Sequence, residues 1–178
     1  MVYLRGLGST SVGNTSVPIH EAVKCIEWLL GKWKSESSKG QFPTIESFTY
    51  EEEATFSHVG QPMLNFSFNS WHHESGKPLH RETGFLRVNP GTNEVAYISA
   101  QNFGVVELEE GIVEGTGINL ESTTIGRMSF AKDPIVTKVK RTFKLTAPNT
   151  LEQTVFMATS KIPEVKEHLW VRYKKIDS

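Results

Sequence analysis

The chain has 178 residues, 38% of them hydrophobic, enough to bury one sizeable core and better fitted to one domain than to two. Lys and Arg number 19 against 20 Asp and Glu, a formal net charge of -1, so no overall field draws it to nucleic acid or to an acidic membrane and neither partner is expected. The lone Cys25 excludes a disulfide framework and a multi-cysteine zinc site, and no apolar run reaches the roughly 20 residues that span a bilayer; a soluble protein of the cytoplasm is expected, with the nucleus also open to it.

Residues 1–16 read as a flexible leader and 17–178 as the folded domain. The leader's Gly-Leu-Gly-Ser-Thr-Ser stretch lacks the Gly-Lys-Ser/Thr ending of a phosphate loop. Pro18 to Leu30 predicts one helix, with Ile19, Val23, Ile26 and Leu30 near a single face, Pro18 in its first turn and Gly31 at its stop. From Trp33 onward the pattern changes to short β-branched and aromatic segments between turn residues. The acidic run Glu51-Glu52-Glu53 reads as a solvated strand edge. Leu64 to Ser70 alternates apolar and small polar residues with period two, a strand with one buried face.

Further strands are predicted over Ser47 to His58, Leu79 to Val88, Glu94 to Gln101, Gly104 to Glu109, Ile112 to Glu121, Gly126 to Ala131, Val136 to Thr146, Leu151 to Thr159 and Glu167 to Ile176. Turn sequences at Glu74 to Lys77, Asn89 to Asn93, Glu110-Gly111 and Ala147 to Asn149 join neighbours as hairpins. The expected fold is therefore all-β: an antiparallel up-and-down β-barrel of about ten strands with a short N-terminal helix, lipocalin-like, closed to remove its edges and wide enough for one small ligand.

Among the six histidines, His72 and His73 read as a solvated turn pair, and His20 and His58 as ordinary polar positions. His80 shares a strand face with Glu82 and Gly84; it reads as a partner of Glu82 or a rim residue, or, if Gly84 leaves space, as a ligand contact. His168 opens the final strand. Strict alternation groups it with Trp170, Arg172 and Lys174, away from the apolar Leu169, Val171 and Tyr173, so it reaches a cavity only if it sits at the rim where the pleat is not yet set. No nucleophile elbow, His-Glu-x-x-His or nucleotide fingerprint is present.

Seven segments, in order, carry a resemblance: Gly31-Lys32-Trp33, Phe42-Pro43-Thr44-Ile45, Gly60 to Phe66, Pro78 to Phe85, Ser99 to Asn102, Gly104 to Glu107, and Met157-Ala158-Thr159 leading to His168-Leu169. Together they resemble the nitrobindin family, haem-binding β-barrels also found as the C-terminal domain of a THAP-domain zinc-finger protein. The family's bacterial and plant members carry Gly-x-Trp-x-Gly-x-Gly, whereas Ser35 and Ser37 follow Trp33 here, so the chain is more similar to the animal branch. One cysteine could not rebuild that branch's zinc finger.

The resemblance implies a ten-stranded barrel related to fatty-acid-binding proteins, with haem b near its mouth. It implies that His168 is the axial ligand of ferric iron, that Thr44 contacts the haem and that His80 lines the pocket. Lys140, beside Arg141, is a further candidate haem contact, its alternative being a solvated lysine. The implied activity is isomerisation of peroxynitrite to nitrate, with nitric oxide as a second ligand; no catalytic residue beyond the iron-bearing His168 is implied. Two other readings stand beside it. A non-enzymatic carrier of a fatty acid would hold a carboxylate with Arg81, Arg141 or Arg172, and a structural barrel serving only as a homodimer would take up no haem.

Overall fold

In the computed structural model, residues 17–176 are described; the leader segment 1–16 lies outside them. The predicted helix is present as a 3-10 helix, Glu21–Leu29, rather than over Pro18 to Leu30. Its buried residues are Val23, Ile26 and Leu29, and a spacing of three places them on one line when there are three residues per turn. His20 caps it, its Nδ1 accepting from the Ala22 amide at 3.1 Å, and Gly31 leaves it with φ +110°.

Eleven strands follow: β1 Gly31–Phe42, β2 Ile45–Phe48, β3 Tyr50–Ser57, β4 Met63–His72, β5 Pro78–Val88, β6 Glu94–Gln101, β7 Val105–Glu114, β8 Gly117–Arg127, β9 Val136–Ala147, β10 Thr150–Thr159 and β11 Lys166–Ile176. Consecutive strands pair antiparallel from β3 to β11, and β1 pairs with both β3 and β11. Ten strands thus close into the expected ring, while the short β2 pairs only with β1. Among the described residues no helix is long and apolar enough to cross a membrane.

Two predicted boundaries move. Glu110-Gly111 is no turn but the middle of β7; a Cβ at Gly111 would lie 1.8 Å from the Asn119 carbonyl oxygen, so glycine is needed for close approach to β8, and the turn falls at Gly115-Thr116. Gly126 to Ala131 is no separate strand: β8 runs to Arg127 and a loop follows. At β1, the ladder to β3 stops after Lys34 paired with Glu53. Beyond it two serine hydroxyls take over, Ser35 Oγ accepting from the Glu52 amide at 2.8 Å and Ser38 Oγ from the Tyr50 amide at 2.9 Å. Ser35 stands where the resembled bacterial and plant members carry glycine.

Inward residues change character along the strands. At one end the helix plugs the barrel, Trp33 donating from Nε1 to the Leu29 carbonyl at 2.7 Å, over a core of Phe56, Phe66, Phe68, Tyr97 and Phe143. At the other end the β8–β9 seam is open. Only Gly117 to Glu121 pairs with Lys144 to Lys140, and beyond that the strands separate around the Met128 to Ile135 loop. The mouth of the barrel is there.

Candidate functional site

The open half of the barrel holds a cavity of about 860 Å³, within the roughly 300–1,000 Å³ range of small-molecule and cofactor sites. Phe48, Leu79, Val105, Ile125, Val139, Met157 and Leu169 give it apolar walls, and Phe103 and Phe130 stand at its mouth, Phe130 79% exposed.

His168 lines this cavity, against the alternation of its strand. The register shows why. Val155 pairs with Leu169 and the next residue, Phe156, pairs with Glu167, so His168 is the extra residue of a β-bulge in β11. A bulge resets the pleat, and His168 and Leu169 both face inward although they are adjacent. What turns His168 inward is this bulge within β11 rather than an unset pleat at the strand's start.

The ring is held in one orientation. Nδ1 lies 3.1 Å from the Gln41 carbonyl oxygen, and Phe42 meets the imidazole edge-on with centroids 5.5 Å apart. A carbonyl only accepts, so Nδ1 carries the proton and donates it, which leaves the Nε2 lone pair free. Burial pushes the His168 pKa down, against the opposing hydrogen bond to Gln41, so the imidazole is kept neutral. A neutral, backbone-oriented imidazole on an apolar cavity is what an axial haem ligand requires, and no protein hydrogen bond among the described residues engages Nε2.

His80 also lines the cavity, with Nε2 3.5 Å from Glu82 Oε2 and Phe103 beside it. Gly84 does not line this cavity; a Cβ there would meet the Ile98 carbonyl oxygen at 1.8 Å, so the glycine serves close approach of β5 to β6. His72 belongs to the cavity wall and not to a solvated pair, whereas His73 is exposed and contacts Glu51 at 3.1 Å. Thr44 sits in the exposed turn between β1 and β2, outside the cavity wall but following the Phe42 that packs on His168. The structure does not support Lys140 as a cavity contact. Its side chain is on the outer face of β9, 3.1 Å from Glu121, and the inward residue is its neighbour Arg141.

Below the apolar walls lies a charged layer that the strand reading missed. Arg141 is buried across the Tyr97 ring at 4.3 Å; its Nε donates to Glu109 at 3.0 Å and its Nη2 to Glu82 at 3.2 Å and Glu107 at 3.5 Å. Tyr97 donates to Glu82 at 3.0 Å. Glu52 also faces inward and is buried, not part of a solvated edge, with its Oε1 2.5 Å from the Tyr173 hydroxyl. Parity could have revealed these residues: Glu52 alternates with Tyr50 and Ala54, and Arg141 with Val139 and Phe143.

Comparison with known proteins identifies the family. The profile of the family described as "THAP4-like, heme-binding beta-barrel domain" matches residues 22–175. The chain belongs to this family. It is 50% identical over 175 residues to "Peroxynitrite isomerase THAP4" of Rattus norvegicus, covering 98% of this chain and 30% of that protein. It is 37% identical over 157 residues to "Peroxynitrite isomerase Rv2717c" of Arabidopsis thaliana, covering 86% of this chain and 89% of that protein. The THAP4-like domain thus spans under a third of the THAP4 relatives and nearly all of the plant one. The crystal structure of Rv2717c from M. tuberculosis superposes with a TM-score of 0.80 at 30% identity, over 90% of this chain and all of that one.

Proposed function

We propose that this chain binds haem b in the barrel cavity through His168 and, with the iron ferric, isomerises peroxynitrite to nitrate. The observation that carries the reading is the state of His168: brought inward by a bulge, fixed by the Gln41 carbonyl, and neutral with Nε2 free on an apolar cavity. The names of the THAP4 and plant relatives support the activity. When bound, the haem would supply a ferric centre with an open coordination position, at which peroxynitrite is rearranged and nitric oxide can be held.

The protein supplies position and dryness. His168 would hold the group from β11, and Thr44 would contact it from the β1–β2 turn. The apolar walls would bury the macrocycle at roughly 25 cal/mol per Å² and exclude water from the reacting ligand. His80 stands on the wall with a ring nitrogen facing Glu82, placed to act on a ligand in the cavity.

A fatty-acid carrier is less well supported. Arg81 is spent on the Ser70 and His80 carbonyls, Arg172 pairs with Glu152 on the surface, and Arg141 already carries three glutamates, so none is free to receive a ligand carboxylate. The test of the activity is stopped-flow decay of peroxynitrite with ferric-haem-loaded protein. Decay should accelerate in proportion to loaded protein and yield nitrate, and should fall to the haem-free rate with His168→Ala. Equal decay for loaded and haem-free protein would remove the activity.

A further inference from the structure

The charged layer beneath the apolar walls has a proton balance that its geometry dictates. Glu52, Glu82, Glu107 and Glu109 are all buried, and Arg141 is the one buried cation among them. Fully ionised, they would leave three negative charges uncompensated in a low-dielectric interior, and carboxyls so placed retain protons instead.

Two contacts say where. The Tyr173 hydroxyl lies 2.5 Å from Glu52 Oε1 and 2.8 Å from Gln153 Oε1, both acceptors, yet it has one proton. A proton on Glu52 completes the chain: Glu52 donates to Tyr173, and Tyr173 donates to Gln153. Glu109 gives Oε1 to Arg141, while its Oε2 is fully buried with no partner; a proton shared with the neighbouring Glu107 carboxyl supplies one. Burial raises both acids, Glu52 to about 7 and Glu107 to about 8. Glu82 stays ionised at about 2, burial being outweighed by Arg141 and His80.

Two protons reduce the deficit from three charges to one. Glu52, Glu82 and Glu107 all reach the cavity wall, so an anion arriving there meets a floor that is still net negative. The other titratable groups facing the layer are Tyr50 from β3, His80 from β5, Tyr97 from β6 and Tyr173 from β11, none of them a second fixed cation; the cavity's other cations, Arg127 at the end of β8 and Lys132 in the loop that follows, are at its mouth, Arg127 paired with Asp133 at 3.2 Å.

We propose that this layer is a proton store, one proton on Glu52 and one shared by Glu107 and Glu109, and that an anion entering the cavity draws a further proton from solvent into the Glu107–Glu109 pair. The step is a proton transfer from water to carboxylate and consumes nothing else. It deepens the proposed function, since peroxynitrite is such an anion, but the protons themselves do not depend on haem.

The test therefore uses the haem-free full chain, with infrared spectroscopy and anilinonaphthalene sulfonate as an apolar anion. At neutral pH the spectrum should show protonated-carboxyl stretching bands that persist above the range of ordinary carboxyls and shift in D₂O. One band should be lost in Glu52→Gln and another in Glu107→Gln. Addition of the sulfonate at neutral pH should increase the band that Glu107→Gln removes, and its affinity should fall as pH rises by up to about tenfold per pH unit across the range in which that band increases, the slope of one proton taken up per anion. The wild-type pH titration alone decides the store if the variants fail to fold. Absence of protonated-carboxyl bands at neutral pH would overturn it, and a sulfonate that fails to bind, or binds without changing the bands, would overturn the coupling.

Discussion

Replacing Arg141 with Met asks whether the buried glutamates depend on its charge. Methionine keeps an unbranched side chain over the Tyr97 ring but removes the donors to Glu82, Glu107 and Glu109. Breaking a buried ion pair from one side costs about 3–5 kcal/mol, a large share of the about 5–15 kcal/mol of a typical domain. Here the cost must depend on pH. Without Arg141 the carboxyl pKa values rise in the native state, so the native variant binds more protons than its unfolded chain and its stability falls as pH rises. One extra proton retained across three pH units is worth up to about 4 kcal/mol. Urea unfolding of the haem-free proteins should thus show a loss of about 4 kcal/mol at pH 8 and at most about half of that at pH 5. Losses equal within about 0.5 kcal/mol at the two pH values would refute the charge argument and leave only a packing effect.

Other outcomes follow from single contacts. Gly111→Ala forces β7 from β8 and should cost about 1–3 kcal/mol in urea unfolding, the range for overpacking, without altering cavity ligands. Lys140→Ala removes only a surface pair with Glu121 and should change haem affinity by less than twofold in titration and leave the urea unfolding midpoint unshifted. Haem should be retained at neutral pH and released on acidification, because iron ligation needs neutral His168; burial already lowers that pKa, so the release midpoint, read from absorbance, should lie below about 6.5.

Much of the barrel was legible in the sequence because each β-strand buries one face, and alternation in segments such as Leu64 to Ser70 shows it directly. The helix was legible as an apolar face, but a spacing of three at Val23, Ile26 and Leu29 also fits a 3-10 turn. Glu110-Gly111 misled because a glycine required for close strand approach looks the same as one required for a turn. At the site, His168 was found by family resemblance while its parity argued the other way. A bulge adds one residue to one strand, and nothing in the strand's own alternation marks which residue is extra; only pairing with β10 does. Lys140 and Arg141 show the reverse. Alternation with Val139 and Phe143 already favoured Arg141 as the inward residue, and its partners come from strands far away in sequence.

The central claim is that Nε2 of His168 holds haem iron, and titration of ferric haem into wild-type protein and His168→Ala, followed by the Soret band, tests it most directly. The wild type should saturate at one haem per chain with a displaced band. His168→Ala should bind more weakly with a different band, and added imidazole should restore the wild-type spectrum. The same spectrum and affinity in both proteins would contradict the assignment.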